Sequence, residues 1–202
     1  MIVRMPESRL PAACPTSTPA GGCRRLSAAE RRIASAVFGV ALDPQPVRLH
    51  RRGYLWFGLQ PPRVAMAPDG HVYFPDACFC EDFGDPARPR LGRWLVHELT
   101  HVWQHQLGYP VKWRGAIRLG LSYRYRLAPG RSFRDYDMEA QGELLADWYA
   151  LGIGRPDLVR DPHHRADPRF PARLRAALRD FLLDPGDRAH LPRLVARRRG
   201  RC

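Results

Sequence analysis

Apolar positions along this chain follow two periods, and the change from one to the other outlines the fold. Ile33, Val37 and Phe38 recur at helical spacing. The helix they predict opens at Ser27, because Ser27-Ala28-Ala29-Glu30 has capping-box spacing, and Gly39 stops it. Val47–His50 and Tyr54–Phe57 read as short strands. Val64–Ala67, the turn Pro68-Asp69-Gly70 and His71–Phe74 predict a β-hairpin. Helical spacing returns from about Leu91 to Gln106, with Leu95, Val96, Leu99, Val102 and Trp103 forming an apolar face. Gly108 and Pro110 end that helix. A connection of about thirty residues leads to a second strong helix, Tyr136–Leu151, closed by Gly152 and Gly154. Phe170–Leu183 and Leu191–Arg199 are predicted as the last helices.

At 202 residues the chain has room for one domain with a genuine core. The expected organisation is a flexible lead over 1–25, rich in Pro, Ala, Ser and Thr, a compact domain over 26–155, and a basic helical extension over 156–202. The net charge of +13 comes almost wholly from arginine, Lys112 being the only lysine. Acidic residues are interleaved with the basic ones, and Arg197-Arg198-Arg199 is the one run near the end. With no nucleic-acid motif beside the charge, specific nucleic-acid binding is not expected. The five cysteines are odd in number and irregular in spacing, which argues against a disulfide framework, and Cys78-Phe79-Cys80 reads as two small buried hydrophobes. No run approaches the roughly 20 apolar residues of a membrane span. The N-terminus lacks the apolar stretch of a secretory signal. The expectation is synthesis in the cytoplasm, with any export requiring a dedicated machine.

The chemistry concentrates in His97-Glu98-Leu99-Thr100-His101, which fits H-E-x-x-H. Two histidines four apart project from one helical face and can share a metal, and the glutamate between them can act on a water held there. His105 is excluded as a third ligand, since a straight helix cannot bring three successive turns onto one ion. The metzincin pattern fails too, because Gln104 and Leu107 stand where it requires glycine and histidine. The second helix offers Asp137, Glu139, Glu143 and Asp147. Glu139 as ligand with Glu143 behind a histidine fits, and so does Glu143 with Asp147.

Several strings recur together in a known order: Phe38-Gly39, Val47–Arg52, Met66–His71, His97–Gln104, Arg124–Leu127 and Met138–Gln141. In these the chain resembles the bacterial Vgr-related proteins, small predicted zinc peptidases linked by name to type VI secretion. The string His97–Gln104 is also similar to the core domain found with extracellular contractile injection systems. The resemblance covers about residues 26–150. It implies an α+β, zincin-like metallopeptidase domain with a small β-sheet beside the H-E-x-x-H helix and a helical C-terminal part. It aligns the family's E-x-Q motif with Glu139-Ala140-Gln141, which implies Glu139 as the third ligand. Gly142 follows where alanine is common, at a small expected cost to the helix. The expected site is Zn2+ on His97, His101 and Glu139, with Glu98 as general base and Glu143 orienting a ligand. Tyr125 and Tyr136 are candidates for stabilising the oxyanion. The implied substrate is a peptide or protein, and secretion-system components are implied partners. The rival expectations are a docking or cargo module in which the metal only holds structure, and hydrolysis of cell-wall peptide cross-links.

Overall fold

The computed structural model describes residues 3–4, 17–55, 60–117 and 122–193. Among these residues, five short strands and six α-helices follow one another as β1 (Val3–Arg4), β2 (Cys23–Arg25), α1 (Ala28–Phe38), β3 (Arg48–Arg51), β4 (Val64–Ala65), β5 (Val72–Phe74), α2 (Pro89–Gln106), α3 (Val111–Ile117), α4 (Met138–Gly152), α5 (Pro162–Ala166) and α6 (Phe170–Leu183). The result is mixed α+β, with α2 as its central element.

The sheet departs from the expected hairpin. β5 pairs in parallel with β3, β3 pairs antiparallel with β2, and β4 pairs antiparallel with β1. The two arms of the supposed hairpin meet at a single bridge, Met66 with Tyr73, whose N–H groups each donate to the other's carbonyl at 3.1 and 2.8 Å. Pro68-Asp69-Gly70 therefore turns the chain, but long-range pairing with β3 captures the second arm. Tyr54 and Leu55 lie in a bend, and the rest of that expected strand falls outside the described residues.

The last residues of the lead are more ordered than its composition suggests, since β2 lies there. Ser27 caps α1 in the expected capping box with Glu30. The Glu30 carboxylate, fully buried, accepts from both Arg24 terminal nitrogens at 2.7 Å, from Ser27 N at 2.7 Å and from Phe83 N at 2.8 Å. One buried charge, fully paired, thus ties β2, α1 and the segment before α2 together.

α2 begins at Pro89, two residues before the expected start, and is buried on nearly every side. It packs lengthwise against α4, while Trp103 contacts Phe38 of α1 and Phe181 of α6. Phe170, Leu174, Leu178 and Phe181 of α6 share the same core as Leu95 and Leu99. These α6 residues, in the region expected as a basic helical extension, thus contribute to the same core. The helix expected over Leu191–Arg199 lies mostly outside the described residues, as does Arg197–Arg199. Cys78 is buried with its thiol donating to Pro75 O at 3.3 Å, whereas Cys80 is disulfide-bonded, so only the former behaves as a small buried hydrophobe.

Candidate metal centre

The α2–α4 crossing places two histidines and a glutamate face to face. His97 Nε2 and His101 Nε2 are 3.3 Å apart. Glu139 Oε2 lies 3.5 Å from the first and 3.7 Å from the second. All three residues are at most 1% exposed. Asp137 sets the register of α4 by capping it, accepting from Glu139 N and Ala140 N at 3.0 Å each, so that Glu139 enters in the first turn facing α2.

The distances from Glu139 are too long for good hydrogen bonds, and both its oxygens are buried without one. Burial would raise this carboxyl, yet the imidazoles of His101 and His97 bring it down to about 2. His97 is the counterpart: burial would lower it, but Glu139 and Glu143 push it up to about 10. The space between these three side chains thus favours positive charge. Two imidazole nitrogens and a carboxylate, all within 4.8 Å of one another, form a donor set that fits a divalent cation of the zinc type.

Each histidine is held from behind. His101 Nδ1 faces Gln104 Oε1 at 2.9 Å, and because an amide oxygen only accepts, the ring carries its proton at Nδ1 and turns a lone pair at Nε2 towards Glu139. Gln104 Nε2 donates to Gln141 Oε1 at 2.9 Å, and Gln141 Nε2 donates to the carbonyls of Phe133 at 3.0 Å and His190 at 2.8 Å. His97 Nδ1 instead lies 3.2 Å from Glu143 Oε1, within ion-pair reach though not aligned as a hydrogen bond. Glu143 accepts from Arg93 at 2.6 Å and Arg160 at 2.7 Å, and Arg93 also donates to Asp147 at 2.6 Å. Burial alone would raise the Glu143 carboxyl, but Arg93 and His97 hold it far below the usual carboxylate range.

Of the acidic stripe, Glu139 reaches both histidines, Glu143 backs His97, and Asp147 lies one turn further from them, bound to Arg93 and Tyr125. Glu98 sits beside the trio, fully buried, with both oxygens unpartnered among the described residues. Burial pushes its carboxyl above the ordinary range, against the pull of His97 and His101. The two tyrosines do not join the cluster. Tyr125 OH donates to Asp147 at 2.7 Å, tying its loop to α4, and Tyr136 OH donates to Arg126 O at 3.1 Å, tying loop to loop, so both hydroxyls are engaged. The tyrosine ring beside His97 is instead that of Tyr123, 6.0 Å away, with the Arg160 guanidinium 4.9 Å over it. His105 is exposed and lies against Gly70, away from the site.

Sequence reasoning missed Arg93, Gln104, Gln141 and the role of Gly142. A Cβ on Gly142 would come within 2.8 Å of His97 Cε1 and Nδ1. The glycine that costs α4 some helical propensity is what lets the His97 ring lie flush against that helix. The signals were present: Gln104 stands three after His101 and Gln141 two after Glu139, but their partners lie across the crossing.

No protein-family model matches the chain. It is 39% identical over 134 residues to the type VI secretion system spike protein VgrG2b of Pseudomonas aeruginosa, a match covering 62% of this chain and 13% of that protein. The chain therefore spans a small part of that relative's length. Among solved structures it is similar to the effector domain of Pseudomonas aeruginosa VgrG2b, with 30% identity and a TM-score of 0.60 over 82% of this chain and 86% of that one.

Proposed function

The chain belongs to the Vgr-related family that includes the effector domain of Pseudomonas aeruginosa VgrG2b, and from that premise we propose that it is a type VI secretion effector that hydrolyses peptide bonds with zinc. The observation that carries the chemistry is the buried trio His97, His101 and Glu139 with Glu98 beside it. Zinc held by these three would supply Lewis acidity and a water of pKa near 7.

The chain's own residues supply the rest. Gln104 and Glu143 fix the ring orientations of His101 and His97. Glu98, with its carboxyl raised by burial above the ordinary carboxylate range, is a stronger base than a solvent-exposed glutamate. It takes a proton from the attacking water and returns it to the leaving amine nitrogen. The ligand set favours hydrolysis over a purely structural metal, since a structural zinc site closes with four protein ligands, while three candidates converge here among the described residues. As part of a secretion apparatus the protein would reach its peptide substrate by that route. No helix among the described residues is long and apolar enough to cross a membrane.

The experiment is cleavage of a mixed peptide library by zinc-loaded protein and by Glu98→Gln. The expected result is cleavage by the first alone, with equal zinc content in both. Cleavage by the variant at the wild-type rate would remove Glu98 as the base. An uncut library would favour the docking module.

A further inference from the structure

Trp94 and Glu98 are four residues apart on α2 and so share one face of that helix. Trp94 is 3% exposed, and its indole Nε1 has no hydrogen-bond partner among the described residues; neither has either oxygen of Glu98. Natural interiors rarely leave buried donors and acceptors unpaired. A donor and an acceptor orphaned one turn apart on one helix call for a common explanation.

The Trp94 ring is fixed in place. Phe74 of β5 meets it edge-on at 5.0 Å and 89°, and Phe83 at 6.3 Å and 77°. Phe74 and Phe83 stack on each other at 4.1 Å, so the joint is a packed aromatic trio linking strand, connection and helix. One turn of α2 separates the indole N–H from the Glu98 carboxylate, and neither is paired among the described residues. The Cys78 thiol already donates to Pro75 O and is not a free donor. Among the described residues, Trp94 is thus a buried neutral donor left unpaired one turn from the carboxylate.

We propose that Trp94 is a positioning residue for the general base: its indole N–H donates to one oxygen of Glu98 and leaves the other to take the proton from the attacking water. This rests on the peptidase reading for its consequence, though the contact itself does not. Trp94 acts through Glu98, so its loss should misplace the base without weakening substrate binding.

The test combines kinetics with the indole 15N–1H spectrum of the full chain. Sequential resonance assignment of the wild-type chain identifies the Trp94 signal among the five tryptophans. In Glu98→Ala the Trp94 signal should move upfield and exchange faster with solvent, while the other indole signals stay. Glu98→Gln keeps an acceptor oxygen and should restore the signal to near its wild-type position. Trp94→Phe should lower kcat by about 10–100-fold at unchanged KM and zinc content. A Trp94 signal that ignores Glu98→Ala overturns the proposal, whether or not any peptide is cut and whether or not Trp94→Phe folds. An uncut library together with a signal that follows Glu98 overturns the peptidase reading and supports the contact.

Discussion

His97 and His101 stand one turn apart on one helix and face the same carboxylate, yet opposite kinds of chemistry hold them. Behind His97 lies a charged network of Glu143, Arg93, Arg160 and Asp147. Behind His101 lies a neutral relay of two amides ending on backbone carbonyls. The charged side gains basicity for its ring, but it depends on complete pairing, because a buried charge stripped of its partner is costly. The neutral side gives less electrostatic help and tolerates a lost member better. It also ties the site to the C-terminal part through His190 O, a region that resembled nothing in sequence.

Removing Glu143 should have the largest effect. Glu143→Ala leaves Arg93, whose side chain is 15% exposed, without one of its two carboxylates, and a loss of about 3–5 kcal/mol is expected. Zinc affinity should fall by about 10–100-fold through His97. Denaturant unfolding and competition with a chelator measure the two. The pH dependence follows from the same group. Its folded pKa is depressed, so its contribution is present above the unfolded value of about 4.3 and disappears as pH falls through the folded value. Acid unfolding curves of Glu143→Gln should therefore be flatter than those of the wild type, while those of Gln104→Ala should keep the wild-type slope.

Gly142→Ala comes next. In an open helix this change would stabilise by about 1 kcal/mol. Here the new methyl group meets the His97 ring at 2.8 Å, and Glu143 stops the ring from yielding, so overpacking of about 1–3 kcal/mol should win. A gain in thermal stability with unchanged zinc affinity would mean that the ring can move and that the charged side is looser than described.

This glycine marks the limit of what sequence could tell. The capping box, the H-E-x-x-H helix and the acidic stripe are local patterns, and each appears where its spacing put it. What lay hidden depends on the α2–α4 crossing: Arg93 reaches two carboxylates some fifty residues away, and the Gln104–Gln141 pair spans 37 positions. The parallel pairing of β5 with β3 is non-local in the same way, which is why the apparent hairpin misled. Tyr125 and Tyr136 suited an oxyanion role by residue type, but only the folded chain shows their hydroxyls committed to Asp147 and Arg126.

The smallest effect should come from the neutral side. Gln104→Ala removes the acceptor of the His101 Nδ1 proton, yet water can enter the space left and accept it, so a cost of about 1 kcal/mol is expected. Zinc affinity should drop by no more than about 10-fold, and the drop should not vary with salt. A loss as large as that of Glu143→Ala would erase the distinction between the two sides.

In the proposed metal centre, His97, His101 and Glu139 together hold one ion. X-ray absorption at the zinc edge, on protein loaded with one equivalent, tests it directly. The prediction is a shell with two imidazole nitrogens at about 2.0–2.1 Å, oxygen at about 2.0–2.2 Å and no sulfur, and its loss with the metal in Glu139→Ala. A sulfur neighbour at about 2.3 Å, a shell of four protein ligands, or an unchanged shell in Glu139→Ala would contradict it.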